Sequence, residues 1–106
     1  MKYDKQDEAL QHFVQQIRKQ LGNHLKQVIL FGSRVRGDDV PGSDYDCLII
    51  VDEVTKAIKD IIDEVAGEAL YQHSSVFSAF LISEERHNRH SYNPLLMSIA
   101  KEGMIL

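Results

Sequence analysis

Cysteine, proline and basic charge are all scarce in this chain of 106 residues. The one cysteine, Cys47, cannot close an internal disulfide. Its place in an apolar run reads as a small buried hydrophobe of a reducing compartment. Two prolines and six glycines are too few for a collagen-like or disordered chain. The longest strongly apolar run, Cys47 to Val51, falls far short of the ~20 residues that a spanning helix needs. Residues Met1 to Gln6 hold no apolar stretch of the kind a signal peptide carries. Twelve basic residues stand against sixteen acidic ones, a net charge of -4. No general nucleic-acid-binding surface is expected, because such a surface depends on a basic field. These absences describe a soluble, cytoplasmic protein without a membrane segment. The expected organisation is one domain over residues 1–106, long enough to bury a core without staples.

What is present is strong periodicity. Leu10, Phe13, Val14, Ile17 and Leu21 recur at helical steps, with Asp4 and Asp7 near the start and Gly22-Asn23 as the stop. Gln27 to Phe31 reads as a strand apolar on both faces, hence central in a sheet. Asp38 to Ser43 is turn chemistry. Asp44 to Val51 reads as a second buried strand that opens with two acids. Val54, Ala57, Ile58, Ile61, Ile62, Val65, Ala69 and Leu70 then hold helical spacing, interrupted by Gly67. Val76 to Ile82 is a third strand, Ser83 a cap for a short helix from Glu84, and Asn93-Pro94 the start of a last helix that ends at Gly103. Met104 to Leu106 adds a short edge strand. The fold class is α/β, in its mixed α+β form: a small mixed sheet flanked by helices.

The chemistry concentrates between Phe31 and Val51. Asp44 and Asp46 are two apart on a strand, so their side chains share a face. Two carboxylates at a strand mouth repel each other and lose hydration, which a fold avoids unless a cation relieves it. Mg²⁺ (or Mn²⁺) bound by one or two carboxylates together with substrate phosphates fits that pair. Gly32 ends the preceding strand and permits close approach to the backbone. Ser33 supplies a hydroxyl, and the amides after it can face an anion. Arg36 suits phosphate, as does Arg34, although both read equally well as solvated loop charge. For Gly32-Ser33 to meet the acid pair, the two strands must run antiparallel.

Gly32-Ser33, ten residues, then Asp44-Tyr45-Asp46 resembles the signature of the minimal nucleotidyltransferases of the DNA polymerase β superfamily. The apolar Val28 to Phe31 before it and Cys47 to Val51 after it agree. Asn93 to Leu96, Ile99 and Lys101 to Leu106 are similar to the C-terminal helix and strand of such domains. The resemblance implies a polymerase-β-like fold in which Asp44 and Asp46 bind Mg²⁺ and act in catalysis. It implies that Gly32 and Ser33 hold the β and γ phosphates of an NTP, ATP in particular; Arg36 joins them as a phosphate-binding candidate on its charge. The implied reaction moves a nucleoside monophosphate to an acceptor hydroxyl. The implied setting is an antitoxin whose partner is a HEPN-domain ribonuclease. An alternative is a catalytically weak nucleotide-binding domain that acts by binding its partner.

The family pattern has a third carboxylate on a later strand, and Ser75 to Ile82 contains no acid. Ser78 falls nearest to that position, and Asp52, Glu84 and Glu85 are the acids that could substitute in space. His87 and His90 read as a solvated helix face. Apolar side chains left exposed near Tyr71, Tyr92 and Leu95-Leu96 would serve a partner or a second copy of the chain.

Overall fold

The structure, a computed structural model, describes residues 7–36, 44–89 and 93–106. The first helix, α1 (Glu8–Leu21), begins where the Asp7 side chain accepts the Leu10 N–H at 3.0 Å. Such a cap is worth ~1 kcal/mol. A single 3₁₀ turn (Gly22–His24) leads into β1 (Leu25–Phe31). The strand therefore starts two residues before the apolar run that marks it in sequence. A four-residue helix, α2 (Ser33–Arg36), follows, and β2 (Tyr45–Val51) comes after it. The long helix α3 (Lys56–His73) starts at Thr55, whose hydroxyl accepts the Ile58 N–H. Val54 thus precedes the helix and is exposed, and Leu70 faces solvent rather than the core. Next come β3 (Phe77–Ser83), α4 (Glu84–Asn88) capped by Ser83, α5 (Pro94–Glu102) capped by Asn93, and β4 (Met104–Ile105). The turn read at Asp38 to Ser43, with Gly37 and Gly42, lies outside the described residues, as do Asp4, His90 and Tyr92.

The sheet order is β3-β2-β1-β4. Strands β1 and β2 run antiparallel, β2 and β3 parallel, and β4 antiparallel to β1. Central β1 and β2 are apolar on both faces because both faces are covered. Val28, Leu30, Cys47, Ile49 and Val51 pack with α1 and α3 on one side. Ile29, Phe31, Leu48, Ile50 and Ile82 pack with Leu96 and Ile99 of α5 on the other. Cys47 is fully buried, and burial pushes its thiol up to about 12. Gly103 closes α5 with its N–H on the Ile99 carbonyl, where a side chain would run into Ile29. No helix among the described residues is long and apolar enough to cross a membrane.

Candidate active site

Sheet register gathers the site. Phe31 of β1 pairs with Asp46 of β2, and Asp46 pairs with Ser78 of β3. Alternation puts the side chains of these three residues on the α5 face, in one row across the sheet. Chain direction puts them all at one end. Gly32, next after Phe31, turns the chain there with φ +85°, a conformation that favours glycine. A methyl group built on Gly32 would stand 2.3 Å from Asp46 Oδ2 and 3.2 Å from its Cγ. The backbone turn and the carboxylate therefore touch, and only the absence of a side chain permits it. The antiparallel β1–β2 pair required for this meeting is present.

Asp46 is half-buried, and Asp44 stands exposed just before β2. Burial is the main cause that raises the Asp46 carboxyl above its ordinary range. The neighbouring Asp44 charge adds to this, and Arg36 works against it. Ionised Asp46 is thus held at a cost that a cation at this end would relieve. The donors are hard oxygens: two carboxylates and the half-buried Ser33 hydroxyl. Such a set suits Mg²⁺ or Mn²⁺ and not a thiophilic metal. Among the described residues no group of three His, Cys, Asp or Glu side chains forms a closed metal centre.

The two arginines of α2 part company. Residues two apart on a helix project to nearly opposite sides. Arg34 lies over the Tyr45 ring, 3.8 Å from its centroid. Arg36 donates to Glu102 of α5 at 3.1 Å, and its charge is felt by Asp46. Arg36 is therefore the arginine on the acid side of the sheet.

Three of the acids considered as substitutes for a third carboxylate are not at this end. Val51 pairs with Ser83, so Asp52, Glu84 and Glu85 follow the far ends of β2 and β3. Six residues of strand separate Asp52 from Asp46, about 20 Å. Asp52 is also engaged there: its carboxylate meets His24 Nδ1 at 2.9 Å, and its N–H donates to the His24 carbonyl. A cavity of about 570 Å³ at that far end is lined by Asp52, Glu53, Ser83, Glu85 and Arg86, without any of the signature residues. Ser78, by contrast, sits in register beside Asp46. Sequence reasoning did not single out Glu102, which lies 66 positions from Arg36 and carries no local signal. Tyr45 carries no role in the sequence reading either, although a tyrosine between the two acids is visible there.

A family model described as a nucleotidyltransferase domain matches residues 11–94. A Methanocaldococcus jannaschii protein named "Putative protein adenylyltransferase MJ0604" is 29% identical over 101 residues, covering 95% of this chain and 97% of that protein. A second protein of that organism with the same description is 31% identical over 93 residues, covering 85% of this chain and 63% of its own length. Among solved structures, a toxin–antitoxin crystal structure with AMP-PNP gives a TM-score of 0.60 at 16% identity, over 88% of this chain and 68% of that one. A complex of tri-AMPylated Shewanella oneidensis HEPN toxin with MNT antitoxin gives 0.54 at 13% identity, over 92% and 70%. At such identity these structures speak for the fold, and they share the mixed sheet flanked by helices. The family match spans both strands that carry Gly32-Ser33 and Asp44-Tyr45-Asp46, and the chain belongs to the nucleotidyltransferase domain family.

Proposed function

We propose that this chain binds ATP with Mg²⁺ (or Mn²⁺) at Gly32, Ser33, Asp44 and Asp46, and transfers AMP to a hydroxyl of a protein acceptor. The acceptor in this reading is a HEPN-domain partner. The observation that carries the reading is the contact between the bare Gly32 backbone and the Asp46 carboxylate. A phosphate approaching that turn would come at once to the acid pair. Asp44 and Asp46 would hold the metal, which supplies charge neutralisation along the triphosphate. Ser33 would donate its hydroxyl or amide proton to phosphate oxygens. Arg36 would balance the charge of departing pyrophosphate, steadied by Glu102. The acceptor hydroxyl gives up its proton to solvent, its oxygen forms the new bond to the α-phosphorus, and the bond from that phosphorus to the α–β bridging oxygen breaks to release pyrophosphate. Positioning and charge, rather than covalent chemistry by the protein, do most of the work in phosphoryl transfer. Exposed Tyr71 and Leu95 are the apolar side chains offered to the partner or to a second copy, whereas Leu96 is buried under the sheet.

One observation favours a second reading, a nucleotide-binding module with weak turnover that acts by partner contact. Ser78, and no acid, occupies the register position beside Asp46. A serine is a poor metal ligand and cannot replace a carboxylate base. The test is ATP labelled on the α-phosphate, incubated with a HEPN-domain partner and divalent cation. Label that moves to the partner, and fails to move with Asp46→Asn, supports transfer. Cation-dependent ATP binding with no label transferred, while the partner's ribonuclease is still silenced, supports the second reading.

A further inference from the structure

Tyr45 lies between the two acids of the signature, but alternation sends its side chain through the opposite face of the sheet. There it joins a column of rings. Phe13 of α1 stacks on Phe77 of β3 at 4.1 Å and 5°, and Phe77 stacks on Tyr45 at 4.5 Å and 10°. With Phe77 on one face of Tyr45, the Arg34 guanidinium covers the other at 3.8 Å. The Tyr45 hydroxyl donates to Asp7, the residue that caps α1. The ring is thus fixed on both faces and at its tip.

Arg34 follows Ser33 directly in α2. That helix is one turn long, too short to hold itself. Its hydrogen bonds run from the Val35 and Arg36 amides to the Gly32 carbonyl. Val35, buried in the core, is one anchor, and the Arg34–Tyr45 stack is another. Pairing of Phe31 with Asp46 fixes where the turn begins, but not how α2 is rotated about it. We propose that Tyr45 is a positioning residue: through Arg34 it locks the rotation of the Gly32–Arg36 turn against the acid strand, and Arg34 itself takes no phosphate. This rests on the reading of Gly32, Ser33 and the acid pair as a nucleotide site.

The test is a cycle of Arg34→Ala, Tyr45→Leu and the double variant, with Tyr45→Phe as the conservative change. Two quantities are read: Mg²⁺–ATP affinity, and amide exchange at Val35 and Arg36 by NMR without nucleotide. Each single loss should weaken affinity about fivefold, the ratio for a cation–aromatic contact of ~1 kcal/mol. The double variant should be within about twofold of the weaker single, because both remove one coupling. Exchange at Val35 and Arg36 should quicken in both singles while α3 amides stay protected, and Tyr45→Phe should leave both readouts near wild type. Losses that multiply in the double variant would mean that Arg34 meets phosphate itself, and would overturn the proposal. Unchanged exchange in Arg34→Ala would overturn it too, even if Tyr45→Leu fails to fold. Should the wild type bind no Mg²⁺–ATP, the nucleotide reading falls, and exchange alone still judges the lock.

Discussion

Gly32→Ala tests the contact on which the site is built. Two costs add. A non-glycine residue held at φ +85° pays about 1–2 kcal/mol for left-handed backbone. The new methyl would also stand 2.3 Å from Asp46 Oδ2, the far end of a side chain that can turn aside, and 3.2 and 3.3 Å from its Cγ and Cβ, so the shift it forces costs about 1 kcal/mol, the low end of overpacking. The sum is about 2–3 kcal/mol, against about 5–15 for a whole domain. At ~4–8 °C per kcal/mol for a domain of about this size, Tm should fall by roughly 10–25 °C. Gly67→Ala is the control, because nothing lies within 4 Å of a methyl there. In mid-α3 it should stabilise by about 0.5–1 kcal/mol through helix propensity. In an Asp46→Ala background the carboxylate is gone and only the Cβ at that position, 3.3 Å from the new methyl, remains, so the cost of Gly32→Ala should drop towards the backbone part, ~1–2 kcal/mol. Denaturant unfolding of the four variants measures all of this. A Gly32→Ala cost under ~0.5 kcal/mol, or one that is the same with and without the Asp46 carboxylate, would refute the reasoning.

Three other outcomes follow from the charges and the register. Without divalent cation, wild type should lose stability as pH rises through the Asp46 titration. Its carboxyl is raised in the folded state, so the folded chain holds the proton more tightly than the unfolded chain. Asp46→Asn should be flat over that window, as read by urea midpoints against pH. At the far end of β2 the sign is opposite: the His24 hydrogen bond lowers the Asp52 carboxyl. Its contribution is present above the ordinary carboxylate value and is lost as pH falls through the lowered one. Asp52→Asn should remove that acid limb and leave ATP binding unchanged. Ser78→Asp, in register with Asp46, should raise transfer to an added hydroxyl acceptor, up to the ~10²–10⁴-fold that general-base help gives. No gain in a folded, ATP-binding variant would show that the position is not the vacant one.

Much of this was legible from residue order alone. The apolar run at Gln27–Phe31 and the acid-led run at Asp44–Val51 marked the two central strands, because both of their faces need cover. Ser83 marks a helix start through capping, Asp7 through its charge near a helix N-terminus, and Asn93-Pro94 through a first-turn proline; the structure adds that Asp7 and Asn93 are caps as well. A meeting of Gly32-Ser33, at the exit of one strand, with Asp44 and Asp46, at the entry of the next, calls for antiparallel strands, and β1 and β2 are antiparallel with Phe31 paired to Asp46. What stayed hidden depends on distances that sequence does not encode. Asp52 is six positions from Asp46 in sequence, yet it follows the far end of β2, as Glu84 and Glu85 follow the far end of β3. Glu102 is remote in sequence and bonded to Arg36. A turn or short helix after Gly32 is legible and is present as α2, but which way Arg34 and Arg36 project from it is not.

A cation-dependent ATP site at Gly32, Ser33 and the acid pair is decided by isothermal titration of ATP into the wild-type chain with Mg²⁺, with chelator in its place, and into Asp46→Asn with Mg²⁺. Binding is expected in the first titration and none in the other two. ATP binding of equal strength with chelator or in Asp46→Asn, or no binding by the folded wild type with Mg²⁺, would contradict it.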